Sequence, residues 1–165
     1  MRHPLIAVAA ALSLVAGTAH AAVVTYGGSE YQVVTTASDV DWLEARAQAQ
    51  VLPGGGWDLA TVGDVGENDF LVGLLSLALP ERSHFWIGAT DVAVEGSWQW
   101  IDATPWVYAN WHGGEPNNSG GVEHYLAYDL RGGVYRWNDV PLDLKAAYPN
   151  QDYVVGFIAE RPIPV

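Results

Sequence analysis

Five side chains in the second half of the sequence are of the types that hold a hard cation. Glu115-Pro116-Asn117 comes first, Glu123 follows shortly after, and Asn138-Asp139 comes fifteen residues later. All five are carboxylates or amides, and no Lys or Arg is expected to neutralise them. Hard oxygens suit calcium, which takes six to eight of them in a flexible geometry. Magnesium keeps more of its water, and zinc prefers His or Cys. The chain has no cysteine, so disulfides, thiol catalysis, Fe–S clusters and thiolate zinc sites are excluded. Pro116 permits a cis bond at modest cost, which would aim the carbonyl oxygens of Glu115 and Asn117 at one point. On residue types alone, a solvated acidic loop remains the alternative to a metal site.

These residues sit in or beside a long irregular stretch, from about Asp102 to Val122. Loops of that length inside a compact domain are usually functional. The elements around it must do the positioning. Tyr31–Thr36 reads as a strand. Ser38 or Asp39 can cap a helix through Trp42 and Ala49 that stops at Pro53 and Gly54–Gly56. Trp57–Val62 is a short strand. Asp64 with Glu67 opens a second helix, Glu67 to about Leu79, ended by Pro80. Short strands follow at Phe85–Gly88, Trp98–Trp100, Glu123–Leu130, Val134–Trp137 and Val154–Ile158. Two helices followed by short antiparallel strands make the class α+β. With eight Trp, the core is expected to be built from large rings: Trp86, Trp98, Trp100, Trp111 and Trp137.

The start of the chain reads as a secretory leader. Met1-Arg2-His3 is basic, Leu5 to Gly17 is apolar, and Ala19-His20-Ala21 is a small-x-small cleavage site. The apolar run is too short for a bilayer, which needs about 20 helical residues. Residues 1–21 are thus assigned to the leader and 22–165 to a single domain, secreted, periplasmic or extracellular. The net charge of −12 argues against nucleic acid and against anionic lipid as partners. No coiled-coil heptad indicates an oligomeric state.

The ordered set of motifs from Tyr31 to Glu160 resembles the C-type lectin domain. The pieces are Trp42-Leu-Glu-Ala, Leu59-Ala-Thr-Val, Glu67-Asn-Asp-Phe-Leu, Trp86-Ile-Gly-Ala-Thr-Asp and Glu95-Gly-Ser-Trp-Gln-Trp, then Asn110-Trp, Gly114-Glu-Pro-Asn-Asn, Trp137-Asn-Asp and Gly156-Phe-Ile-Ala-Glu. The resemblance implies two helices on short antiparallel sheets, with a long calcium-binding loop. It implies Glu115, Asn117, Glu123, Asn138 and Asp139 as calcium ligands, and Glu115, Asn117, Glu123 and Asn138 as sugar contacts. The order Glu-Pro-Asn is similar to the mannose-type version, suited to equatorial 3- and 4-hydroxyls as in mannose, glucose, N-acetylglucosamine or fucose. The galactose-type version would read Gln-Pro-Asp. Glycans or glycoconjugates are therefore the implied partners. A second calcium site is implied at Asp91 and Glu95, with Asn118 and His124 where further carboxylates are often found and with Glu123 able to serve both sites.

Departures from the family pattern are also visible. Its four half-cystines fall at Ala49 and Ala159, and at Tyr125 and Leu142. The stretch Asp143–Asp152 is longer than usual; reshaping the rim of the sugar site and being a plain insertion are both open, so it has no assigned role. His112 is expected as an exposed loop residue or a sugar contact, and His84 as a surface residue. A lectin-fold module for a protein or ice surface, with calcium structural only, is the alternative function. An enzyme is not expected: Glu115 and Glu123 could be imagined as a glycosidase acid pair, but a carboxylate holding calcium is a poor proton donor.

Overall fold

The two main helices begin where side chains cap their free amides. In α1, Trp42–Gln50, the Glu44 amide donates to Asp41 Oδ1 at 2.7 Å, and the Asp41 amide donates back to Glu44 Oε2 at 3.1 Å. That is a full capping box. Asp41 takes the cap rather than Ser38 or Asp39 because it alone has a Glu three residues on. In α2, Val65–Ala78, the Glu67 amide donates to Asp64 Oδ1 at 2.9 Å, while Glu67 Oε2 accepts from the Gly63 amide at 2.7 Å. The cap pair is the one expected, and the helix starts two residues earlier. A short α3, Leu144–Ala147, is capped by Asp143 and falls in the stretch that had no assigned role.

The computed structural model describes residues 18–20, 22–36, 38–78, 83–149 and 154–163. Most of the leader, Pro80 and the end of the 143–152 stretch lie outside the described residues. The strands are β1 Thr18–His20, β2 Val24–Tyr26, β3 Ser29–Thr36, β4 Asp58–Leu59, β5 Ser83–Thr90, β6 Gln99–Trp100, β7 Glu123–Arg131, β8 Val134–Pro141 and β9 Val154–Pro162. They form one sheet along the path β1-β3-β9-β5-β7-β8, with β2 on β3, β4 on β9 and β6 on β5. β5 and β9 run parallel, which corrects the expectation of antiparallel strands only. The long chain between these two strands, not a hairpin, makes that pairing possible.

Alternation along the strands buries the sheet on both faces. Phe85, Ile87, Leu126, Tyr128, Ile158 and Trp137 pack with Leu71 and Leu75 of α2. Trp86, Ala127, Val140, Phe157 and Ala159 pack with Trp42, Ala45 and Ala49 of α1 and Leu144 of α3. Ala49 and Ala159, at one pair of missing half-cystines, are both fully buried in this second cluster. Tyr125 and Leu142, at the other pair, pack against the same cluster. Close packing of small and ring side chains thus occupies the places a covalent staple would take.

Candidate functional site

The β7–β8 hairpin turns at Gly132-Gly133 and sets opposite one another Ala127 and Asn138, and Leu126 and Asp139. Glu123 opens β7, and the ladder shifts register between Glu123 and Tyr125. The long loop reaches this hairpin by two main-chain bonds. The Trp137 amide donates to the Asn110 carbonyl at 2.8 Å, and the His112 amide donates to the Trp137 carbonyl at 2.9 Å. Trp106 and Trp111 then pack on Trp98, Trp100 and Trp137. As expected, Trp86, Trp98, Trp100 and Trp137 are buried.

Beyond this anchor the loop is held by carboxylates. The Glu115–Pro116 bond is cis, as the sequence allowed. Asp139, 1% exposed, accepts from the Asn117 amide at 2.9 Å and from the Asn118 amide at 2.6 Å. Glu123 Oε2 accepts from the Ser119 amide at 2.8 Å, and the Glu123 amide donates to Asn118 Oδ1 at 3.0 Å. The Asn117 side-chain amide donates to Glu115 Oε2.

A cleft of about 350 Å³ results, and Glu115, Asn117, Glu123 and Asn138 all line it. Four of the five expected ligands therefore come together. Asp139 lies beneath, joined to the others through the amides of Asn117 and Asn118. Asn138 Oδ1 is buried and has no hydrogen-bond partner among the described residues.

Other residues of the cleft escaped the reading of the sequence. Arg131 at the end of β7 places Nη1 2.8 Å from Glu115 Oε1 and Nε 2.5 Å from Asp129 Oδ2. The expectation that no Lys or Arg neutralises the acids is thus corrected. Period-two alternation contained the signal: Asp129 and Arg131 share the face of Ala127, opposite Asn138. The ion pairs and hydrogen bonds to Glu115 and Asp129 outweigh the cost of burial and raise the Arg131 pKa above its usual value. His84 and His112 are both buried, which corrects their assignment to the surface and the exposed loop. His84 shares the face of the core residue Trp86 and lies 3.3 Å from Asp129 Oδ1, while His112 Nε2 meets the Asp129 carbonyl at 2.9 Å. Burial lowers the His84 pKa despite the nearby Asp129 charge.

The wall opposite is made by the 143–149 segment. Leu144 and Tyr148 line the cleft, and the Tyr148 hydroxyl donates to Glu123 Oε1 at 3.1 Å. Burial pushes the Glu123 carboxyl above its ordinary pKa, and the charges of Asp139 and Glu115 push the same way, against the bonds from Ser119 and Tyr148.

Asp91, Glu95 and His124 converge in a second cluster. Asn118, expected with them, lies beside the cluster: its side-chain nitrogen donates to Glu95 Oε2 at 2.6 Å and its oxygen accepts from the Glu123 amide.

Residues 40–147 match the family model described as the Lectin C-type domain. Perlucin of Haliotis laevigata is 38% identical over 81 residues, 49% of this chain and 52% of perlucin. The chain thus spans about half the length of that curated relative. Among solved structures, the C-type lectin domain of murine dendritic cell inhibitory receptor 2, in complex with N-glycan, superposes with a TM-score of 0.67 at 21% identity. The match covers 86% of this chain and 96% of that one. The herring type II antifreeze protein matches with a TM-score of 0.67 at 22% identity, over 86% of this chain and 97% of its own. These two likenesses establish a shared fold.

Proposed function

We infer, for a chain that belongs to the C-type lectin domain family, that residues 22–165 are an exported, calcium-dependent carbohydrate-binding domain. The ion and the sugar would share the cleft of Glu115, Asn117, Glu123 and Asn138. One observation carries this reading: the buried, unpartnered Oδ1 of Asn138 in a side chain that lines the cleft. Leaving such an oxygen unsatisfied costs about 1–3 kcal/mol, and a cation would satisfy it. The donors are carboxylate and amide oxygens, which fit calcium and not a thiophilic ion. C-type lectin domains generally bind calcium, and they bind rather than catalyse.

Calcium, when bound, supplies a centre whose oxygen shell two neighbouring sugar hydroxyls complete. The chain's own residues do the selecting. Glu115 and Glu123 would each accept a hydrogen bond from one hydroxyl, and the Asn117 and Asn138 amides would each donate one to a hydroxyl oxygen. The acid-then-amide order at 115 and 117 supports a mannose-type preference, for equatorial 3- and 4-hydroxyls. Asp139 holds the 117–118 backbone and is proposed as the fifth ligand. Leu144 and Tyr148 give the cleft a side wall against which the C–H face of a sugar can pack. The glycan in the complex of the dendritic-cell receptor domain supports a carbohydrate partner by analogy of fold. A protein or ice surface, the alternative raised by the sequence, has no need for the full set of five.

Export rests on the leader-like pattern of residues 1–21. Cleavage after Ala21 would remove β1 and leave β3 paired with β2 and β9. No helix of the described residues is long and apolar enough to cross a membrane.

A glycan array read with calcium and with chelator tests the function. Binding of mannose-type sugars that chelator abolishes is expected. Glu115→Gln with Asn117→Asp reverses donor and acceptor at two positions and should move preference toward galactose-type sugars. Binding that ignores chelator, or a double variant that keeps the original preference, would show that the sugar is not held here.

A further inference from the structure

The end of β5 and the start of β7 are tied together beside the long loop. The Thr90 hydroxyl donates to the His124 carbonyl at 2.6 Å, and the Asp91 amide donates to the same oxygen at 3.2 Å. The turn after Asp91 folds back on itself, with the Gly96 amide donating to Asp91 Oδ2 at 2.7 Å. Gly96 has φ +75°, a conformation that favours glycine. The turn brings Glu95 back toward Asp91 and His124. His124 Nδ1 lies 3.1 Å from Asp91 Oδ1 and 3.3 Å from Glu95 Oε2. One ligand atom from each of the three side chains falls within 4.8 Å of the others. Asp91 is 2% exposed and fixed from behind, whereas Glu95 is open to solvent.

We propose that Asp91, Glu95 and His124 form a site for a borderline divalent transition ion of the zinc type, distinct from the calcium cleft. The imidazole nitrogen decides the class. Calcium takes oxygen ligands, and a nitrogen donor in a three-residue set is a poor substitute. Zinc and its neighbours accept imidazole and carboxylate together. Tetrahedral zinc with bonds of 2.0–2.1 Å sets its ligand atoms about 3.3 Å apart. The two distances at His124 Nδ1 already have that size. Three protein ligands leave the fourth position to water, on the side where Glu95 meets solvent. This reading replaces the second calcium site that the family resemblance implied. Asn118 Oδ1 already accepts from the Glu123 amide and its side-chain nitrogen donates to Glu95, and as an amide it brings no charge to a calcium shell.

The site also has a physical route to the main cleft. Asn118 donates from its side chain to Glu95 and from its backbone to Asp139, and it accepts from the Glu123 amide. Fixing Glu95 on an ion would therefore steady the loop that carries Asn117 and Ser119.

The test is calorimetric titration of zinc into the untagged chain in saturating calcium. One equivalent of zinc should bind. His124→Ala should weaken it at least tenfold, and Glu95→Gln, at an exposed position, should weaken it measurably while the fold is kept. His124→Asp should lose zinc affinity as well, although it restores a carboxylate. The double variant Glu115→Gln, Asn117→Asp should bind zinc as the unaltered chain does, so the result stands apart from the sugar reading. Zinc that does not bind, that calcium displaces, or that binds His124→Ala and Glu95→Gln unchanged would overturn the proposal. The cluster would then be held by the contacts of His124 with its two acids alone.

Discussion

The long loop is held by different forces at its two ends. From Trp106 to Trp111 it is held by rings. The centroid of Trp106 lies 4.7 Å from that of Trp100 and 5.5 Å from that of Trp137, and Trp111 meets Trp137 edge-on at 5.8 Å. From Glu115 to Glu123 it is held by buried or half-buried acids that accept main-chain amides. The rings themselves carry no group that titrates near neutral pH or binds a metal. Converging carboxylates repel one another, so the second end keeps its shape at an electrostatic cost that a cation would remove. One end of the loop is a foundation and the other is a responsive element, and they meet in consecutive residues, Trp137 and Asn138.

The largest effect should come from the foundation. Trp137 touches Trp100, Trp106, Tyr108, Trp111 and Tyr128. Trp137→Ala should cost about 3–5 kcal/mol through the cavity it leaves. The loss should be the same with calcium as without it, measured by urea denaturation. An unchanged midpoint would mean that rings do not anchor the loop.

At the responsive end, Asp139→Asn should be milder and of a different kind. The Asn117 and Asn118 main-chain N–H groups both bond to Asp139 Oδ2, so an amide oxygen there can still accept from both, but the charge that strengthens the two bonds is lost. Bonds to a charged group are worth about 1.5–3 kcal/mol against about 0.5–1.5 for neutral ones, so the two together should lose about 1–3 kcal/mol. The metal-free midpoint should fall by that amount, and calcium, expected to raise the melting temperature of the unaltered chain, should no longer do so. If the metal-free stability is untouched, Asp139 serves only as a ligand and the loop is held by something else. If calcium still stabilises fully, Asp139 is only an anchor.

This contrast also separates what was legible in the sequence from what was not. The rings were legible, because Trp86, Trp100 and Trp137 lie in short strands where alternation fixes the buried face. Glu115, Asn117, Glu123 and Asn138 were legible as a set through their residue types and the family order. Arg131 and His84 were not, because their roles depend on which strands lie side by side. Asp129 joins them only when β5 lies next to β7. Tyr148 was hidden for another reason. Its segment carries no motif, and only the capped turn of α3 carries its hydroxyl to Glu123. The parallel pairing of β5 with β9 likewise has no local signature, since both strands read like any others.

The smallest effect tests whether acids behave alike on both sides of the contrast. Glu67 sits on the ring side, where its carboxylate accepts from the Tyr31 hydroxyl and Tyr31 in turn meets Phe70 edge-on. Tyr31 also reaches Glu160 at 3.2 Å, so two acids share one hydroxyl. Burial raises the Glu67 pKa above its ordinary 4.5, with a further push from the charges of Glu160 and Asp64 and opposition from the Tyr31 and Gly63 hydrogen bonds. A carboxyl whose pKa is raised on folding is protonated more readily in the folded state. Its contribution to stability is complete below the unfolded value of 4.5 and is lost as pH rises through the higher folded value. Metal-stripped protein should therefore lose stability as pH is raised from about 4.5 toward neutral. The calcium-loaded cleft should show the opposite trend, because its ligands must be deprotonated to hold the ion. Glu67→Gln keeps an acceptor for Tyr31 and Gly63 but cannot ionise. In metal-stripped protein it should flatten the pH dependence of the urea midpoint without changing calcium affinity. A variant whose midpoint follows pH as steeply as the unaltered chain would move that dependence to Glu123 and the cleft, leaving the ring side without a titrating group of its own.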